Sequence, residues 1–116
     1  MTKKIWVTTS FVGWHCWPKA PASVAFLRNN HRHVFHVKAT FIVQDSDREL
    51  EFFTVKDHLE STIRGVSNLM DQDSGSTSSC ESIAEVILHL LKKGGFSVYS
   101  VEVSEDGENG AIVTIC

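Results

Sequence analysis

Apolar and polar residues alternate loosely over residues 4–14, a stretch rich in Trp, Val, Thr and Phe, and this period of two predicts a first strand. Pro18 and Pro21 follow, and because proline lacks an amide donor and resists central strands, residues 16–29 are expected as a loop. Alternation resumes from His31 to Val43, where His31, His33, Phe35, Val37, Ala39, Phe41 and Val43 share one face of a long second strand. Asp45-Ser46-Asp47-Arg48 reads as a turn and Leu50-Glu51-Phe52 as a short extended piece. The period then lengthens. Val55, Leu59, Ile63 and Val66 predict a helix from about Thr54 to Val66, with Thr54 as N-cap and Asp57 completing a shortened capping box. Residues 67–79 are polar loop material.

A second helix is expected over about Cys80 to Lys93, with Ile83, Val86, Ile87, Leu90 and Leu91 as its buried stripe. Ser79 can cap it, Lys92 and Lys93 suit its C-terminus, and Gly94-Gly95 end it. Two last strands follow, about Ser97–Glu105 and Gly110–Cys116, with Glu108-Asn109-Gly110 in the turn between them. The expected fold is α+β: a four-stranded antiparallel sheet with two helices on one face, in the order ββααββ, as one domain over residues 1–116.

Composition narrows the function. At 42% hydrophobic and 22% charged, the chain fits a soluble globular protein. A net charge of -3 with no basic stripe argues against binding a nucleic-acid backbone, while a nucleotide or small heterocycle needs only local contacts. The cysteines, Cys16, Cys80 and Cys116, are odd in number and widely spaced, with no CxxC pair; this suits a reducing compartment and makes any metal site histidine-bound. The apolar run after Lys4 is broken by Thr8-Thr9-Ser10 and then carries Trp14, His15, Cys16 and Trp17, which is unlike a signal peptide, and no stretch approaches the ~20 apolar residues of a membrane span. A cytoplasmic protein is expected.

The candidate chemistry lies in the histidines. His31 and His33 stand on one face of the second strand, which is otherwise apolar, and His15 closes the first. Three imidazoles with one position left open are the pattern of a catalytic zinc, and a metal would satisfy a polar pair at the end of a buried face. His-x-His on a strand is also compatible with two ordinary core or surface histidines. His36 lies off this face, Asp57-His58 falls on an exposed helix face, and His89 falls between Ile87 and Leu90 as a satisfied interface histidine.

This order of elements, with its histidines, resembles the tunnelling fold and its 6-pyruvoyl/6-carboxy-tetrahydropterin synthase family. The family has a Phe, three residues and a zinc-binding His, matched by Phe11-Val12-Gly13-Trp14-His15. Its His-Gly-His followed by an aromatic is matched by His31-Arg32-His33 with Phe35, Arg32 standing for the Gly. Its acid-Phe-x-x-aliphatic-Lys segment is similar to Glu51-Phe52-Phe53-Thr54-Val55-Lys56, and its Pro-Thr-x-Glu-x-aliphatic-Ala motif to Ser79-Cys80-Glu81-Ser82-Ile83-Ala84. Its Val-x-Val-x-Glu-Thr is matched by Val101-Glu102-Val103-Ser104-Glu105-Asp106.

The resemblance implies Zn2+ on His15, His31 and His33, polarising a substrate hydroxyl or carbonyl. It implies that Glu105, with Glu81 nearby, holds a pterin or purine-like ring by accepting its parallel donors. The family's cysteine before His-x-His is missing from Ala25-Phe26-Leu27-Arg28, and its Asp-His pair falls at Asp71-Gln72. Asp71, Cys80 or an unassigned group is left to supply proton transfer. The implied function is that of a zinc-dependent lyase of this family; the alternative is a non-catalytic protein that binds a pterin, purine or nucleotide. Joining of sheet edges implies a homo-oligomer, a hexamer built as a dimer of trimers.

Overall fold

The computed structural model describes residues 1–115; Cys116, the end of the last expected strand, lies outside them. Four strands, β1 (Lys3–His15), β2 (His31–Val43), β3 (Val98–Glu105) and β4 (Asn109–Thr114), form one antiparallel sheet in the order β1-β2-β3-β4. Two helices, α1 (Phe52–Asn68) and α2 (Cys80–Lys93), pack on one face, α1 against β1 and α2 against β3 and β4. The α+β sheet-and-helix arrangement is the expected one. The proline-bearing segment differs in part, since Ala22–Arg28 coils into short 3-10 turns broken at Val24, whose backbone (φ -131°, ψ 38°) is not helical.

Strand alternation builds the core. Val7 and Phe11 of β1, Phe35, Val37, Ala39 and Phe41 of β2, and Val101 and Val103 of β3 meet Val55, Leu59, Ile63, Ile83, Ile87 and Leu91 of the helices. Phe35, Phe41, Leu59 and Ile87 are wholly buried, and each such side chain stabilises the fold by about 1.5–3 kcal/mol through area removed from water.

Three local expectations are corrected. Helix α1 starts at Phe52, because the Glu51 carboxylate, not Thr54, is the cap: it accepts the amides of Phe53 (3.1 Å) and Thr54 (2.7 Å). Those amides hold the Glu51 carboxyl below its ordinary value, Thr54 contributing most. On α2 the buried stripe runs through Cys80, Ile83, Ala84, Ile87, Leu88 and Leu91, whereas Val86 and Leu90 are exposed. Small Ala84 brings that side of the helix onto the sheet; apolarity alone could not separate the two sides. The β3–β4 turn is Asp106-Gly107, with positive φ at both (56° and 71°) and the Glu108 amide donating to the Glu105 carbonyl at 3.0 Å. That is a primed hairpin turn, and it puts Asn109-Gly110 inside β4. Gly110 is needed there for close approach, since a Cβ would sit 2.2 Å from the Val103 carbonyl oxygen.

Register positions the site. β1 and β2 pair without interruption from Lys3 opposite Val43 to His15 opposite His31, but β3 joins β2 only from Phe35, opposite Glu105. His31 and His33 therefore project past the end of β3. The loop after α1 closes this end: the Trp14 amide donates to the Met70 carbonyl (2.7 Å) and the Cys16 amide to that of Ser76 (3.0 Å). No helix among the described residues is long and apolar enough to cross a membrane.

Candidate metal centre

Pairing of β1 with β2 sets His15 beside His31, and the two-residue repeat sets His33 next along the same face. The ring centroids lie 4.5 Å (His15–His31), 5.4 Å (His15–His33) and 5.1 Å (His31–His33) apart. One nitrogen from each ring falls within 4.8 Å of the other two, the one such cluster among the described residues. Phe35 packs edge-on against His15 and His33 and seals the apolar side.

The outer nitrogens are all engaged. Nδ1 of His15 contacts the Ser78 carbonyl at 2.6 Å, Nδ1 of His31 the Asn29 carbonyl at 2.8 Å, and Nδ1 of His33 the Asp106 carboxylate at 2.7 Å. Carbonyl and carboxylate oxygens can only accept, so each Nδ1 is the donor in these contacts and each Nε2 is turned inward. Nε2 of His15 and of His33 are buried and make no hydrogen bond. Glu105 Oε2 lies 3.1 Å from the first and 3.5 Å from the second. Three histidines held at Nδ1 with Nε2 turned toward one another could hold a metal ion, their outer contacts fixing the rings. The residues fit a zinc-type ion on geometry and on chemistry.

Asp106 has two tasks. Its Oδ2 holds His33 while its Oδ1 accepts the Val34 amide at 2.9 Å. The His33 hydrogen bond, then that of Val34, keeps its carboxyl below the ordinary value.

A cavity of about 460 Å³ opens beside the cluster, lined among others by His15, His31, Trp17, Leu27, Cys80, Glu81 and Glu105. Thus His15, His31, Glu81, Cys80 and Glu105 share one space, with His33 behind it. A larger recess of about 680 Å³ lies on the other sheet face beside Thr8, His36, Lys38 and Glu102; it lacks the histidine cluster. Burial, reinforced by Glu105 and Glu81, pushes the Cys80 thiol up to about 11, so it keeps its proton at neutral pH. Asp71 is not brought to the cavity: its Oδ1 accepts the Asp73 amide at 3.1 Å, in a turn next to Met70. His36 and His89 are exposed; the expected interface role of His89 has no support, because its position on α2 faces away from the core.

Sequence reasoning missed the supports. Asp106 was open to detection, since an acid following Glu105 in an Asp-Gly turn can reach a neighbouring strand. The Ser78 and Asn29 carbonyls carry no residue-type signal at all.

Fold and site together define an α+β protein of the tunnelling type with a three-histidine cluster able to hold a metal. No family model matches the chain, and no curated protein is significantly similar to it in sequence. Among solved structures it is similar to 6-pyruvoyl tetrahydropterin synthase of Caenorhabditis elegans, with a TM-score of 0.68 and 16% identity over 100% of this chain and 97% of that one. At that identity the likeness shows the fold.

Proposed function

We propose that this protein is a zinc-dependent lyase of the 6-pyruvoyl/6-carboxy-tetrahydropterin synthase type, acting on a pterin or purine-like, GTP-derived substrate in the cytoplasm. The observation that carries the reading is the cluster of three imidazoles whose Nδ1 atoms are engaged by Ser78, Asn29 and Asp106, with Nε2 of His15 and His33 buried and without a hydrogen bond. His15, His31 and His33 would hold the ion, which when bound supplies Lewis acidity toward a substrate hydroxyl or carbonyl.

The chain's own groups divide the remaining work. Trp17 and Leu27 offer apolar walls to a flat ring. Glu81 and Glu105 are the carboxylates able to accept an N–H beside an exocyclic amine. Cys80, whose thiol burial pushes up to about 11, would hold its proton at neutral pH. Asp71 is the more distant candidate base, its carboxylate being committed to the Asp73 amide. The sheet's outer edges, β1 and β4, favour pairing with further copies, and a homohexamer of paired trimers is the proposed assembly.

A second reading, a protein that binds such a ligand without turning it over, is favoured by one observation: the cavity holds a protonated thiol, and Asp71 lies outside it. The test is metal and ligand analysis of the native oligomer and of a His31→Ala/His33→Ala variant, followed by turnover assays with any co-purifying heterocycle. About one zinc per chain, absent from the variant, is expected. A native protein that takes up no zinc overturns the lyase reading; zinc and ligand without turnover select the binding reading.

A further inference from the structure

We propose that the open face of the sheet, turned away from the histidine cluster, carries a second binding site, for the phosphate ester of a polyhydroxy small molecule such as a sugar phosphate. The inference stands apart from the metal reading and does not depend on it.

Three observations on the recess of that face carry it. The first is register. Thr8 pairs with Lys38 and Lys38 with Glu102; in the next row Ser10 pairs with His36 and His36 with Ser104. Residues directly opposite one another set their side chains side by side on one face. Three hydroxyls, an imidazole and an ammonium group therefore share one patch of sheet, and Lys56 of α1 adds a second ammonium to the lining. The second row ends at Gly110, opposite Ser104, which has no side chain to fill the hollow.

The second observation is charge. The chain carries a net charge of -3, yet on its strands the open face presents Lys4, Arg32 and Lys38 against Glu102. Lys38 is held loosely: its ammonium lies 3.9 Å from the Glu102 carboxylate, both side chains partly exposed, and 4.8 Å over the Trp6 ring. An exposed pair at that distance is worth little, so Lys38 can turn to a stronger anion at small cost. The recess is also polarised. Thr8, Ser10 and Lys38 lie toward β1, whereas Glu102 and Glu108 lie toward β4. Ammonium and hydroxyl donors suit phosphate oxygens, and the carboxylates accept hydroxyl donors while repelling a second anion.

The third observation is size. At about 680 Å³ the recess falls in the range of small-molecule sites and exceeds what a bare phosphate fills. Together these features select a ligand that is anionic at one end and hydroxylated at the other.

The experiment titrates the full-length native protein, as purified and after EDTA treatment, with ribose 5-phosphate, ribose and inorganic phosphate at constant ionic strength. Calorimetry gives the affinities, and amide shifts in the 15N-labelled native protein locate the ligand. Lys38→Met, which keeps the stem over Trp6, is compared with Lys92→Met at the far end of α2. Ribose 5-phosphate is expected to bind more tightly than ribose or phosphate, with or without EDTA, and to shift amides around residues 8–10, 36–38 and 102–104. Its affinity should fall about tenfold or more in Lys38→Met and stay unchanged in Lys92→Met. Shifts absent from those strands in the native protein overturn the inference, even if Lys38→Met does not fold. So does equal affinity in Lys38→Met and native protein, or an equal loss in Lys92→Met, which marks general charge screening. Inorganic phosphate binding as tightly as the ester overturns the assignment to an ester. A native protein that takes up no zinc changes none of these outcomes.

Discussion

One face of β2 carries two regions that obey opposite rules. Phe35, Val37, Ala39 and Phe41 are buried beneath the helices and are complete as they stand. Two residues earlier on the same face, His33 and His31 lie beyond the end of β3, where loop carbonyls and a turn carboxylate replace helix packing. The apolar end is satisfied by shape alone. The histidine end is satisfied on its outer nitrogens and left open on its inner ones. The contrast separates the part of the face that stabilises the fold from the part proposed to hold a metal.

The largest expected effect belongs to the apolar end. Phe41→Ala, at a fully buried ring, should cost about 3–5 kcal/mol in chemical denaturation. If the two ends are separable, enough zinc should still bind the folded fraction; a variant that keeps its stability would break the comparison from the other side. Next comes His31→Ala/His33→Ala. The metal-free variant should melt close to the metal-free native protein, but it should lose the zinc-dependent stabilisation, about 4 kcal/mol where zinc is a thousandfold above its dissociation constant. A large drop in the metal-free melting temperature would mean that the histidines are core residues after all.

Asp106→Asn is a smaller change that sharpens the same division. Asparagine tolerates the positive φ of this turn and keeps a contact to His33, so the fold should persist while zinc affinity falls about 10–100-fold. Unchanged affinity would reduce Asp106 to a turn residue. The smallest effect is expected at Glu51, remote from the histidines. Its folded-state carboxyl titrates below its ordinary value of 4.5, so its support of α1 is complete above that value and is lost as the pH falls through the depressed one. Glu51→Gln should lower the melting temperature slightly at neutral pH. The gap to native protein should close under acid conditions, with zinc binding at neutral pH untouched; a gap that is the same at every pH would remove the charge from the explanation.

Much of this was legible in the residues, and the failures have physical causes. Alternation over β1 and β2 named both strands and the shared face of His31 and His33, because a period of two follows from backbone geometry whatever the strand packs against. The Ser79 cap of α2 was equally local: a hydroxyl that accepts the Ser82 amide at 3.1 Å. Thr54 was a false cap for a related reason. Several side chains near a helix start can accept amides, and the one that does is set by where the chain arrives from the sheet. Val86 and Leu90 were indistinguishable by apolarity from Ile87 and Leu91, since which side of α2 meets the strands is a matter of docking. Asn109-Gly110 carries a strong turn signal, yet Asp106-Gly107 carries one too, and the pairing of Glu105 with Asn109 decides between them.

The same line divides the site. The sequence by itself determined that His31 and His33 share a strand face, that His15 ends another strand, and that Glu105 and Asp106 are neighbours where the third strand gives out, because spacing and backbone period are properties of the chain alone. Only the tertiary structure decided that these groups meet. The register of β1 on β2 brings His15 beside His31, the shorter β3 lets Glu105 and Asp106 reach both sides of His33, and the loop after α1 delivers the Ser78 carbonyl to His15. The contacts of His15 with Ser78 and of His33 with Asp106 join residues more than sixty positions apart, and no local rule can place a ring nitrogen's proton on an acceptor so distant in the chain.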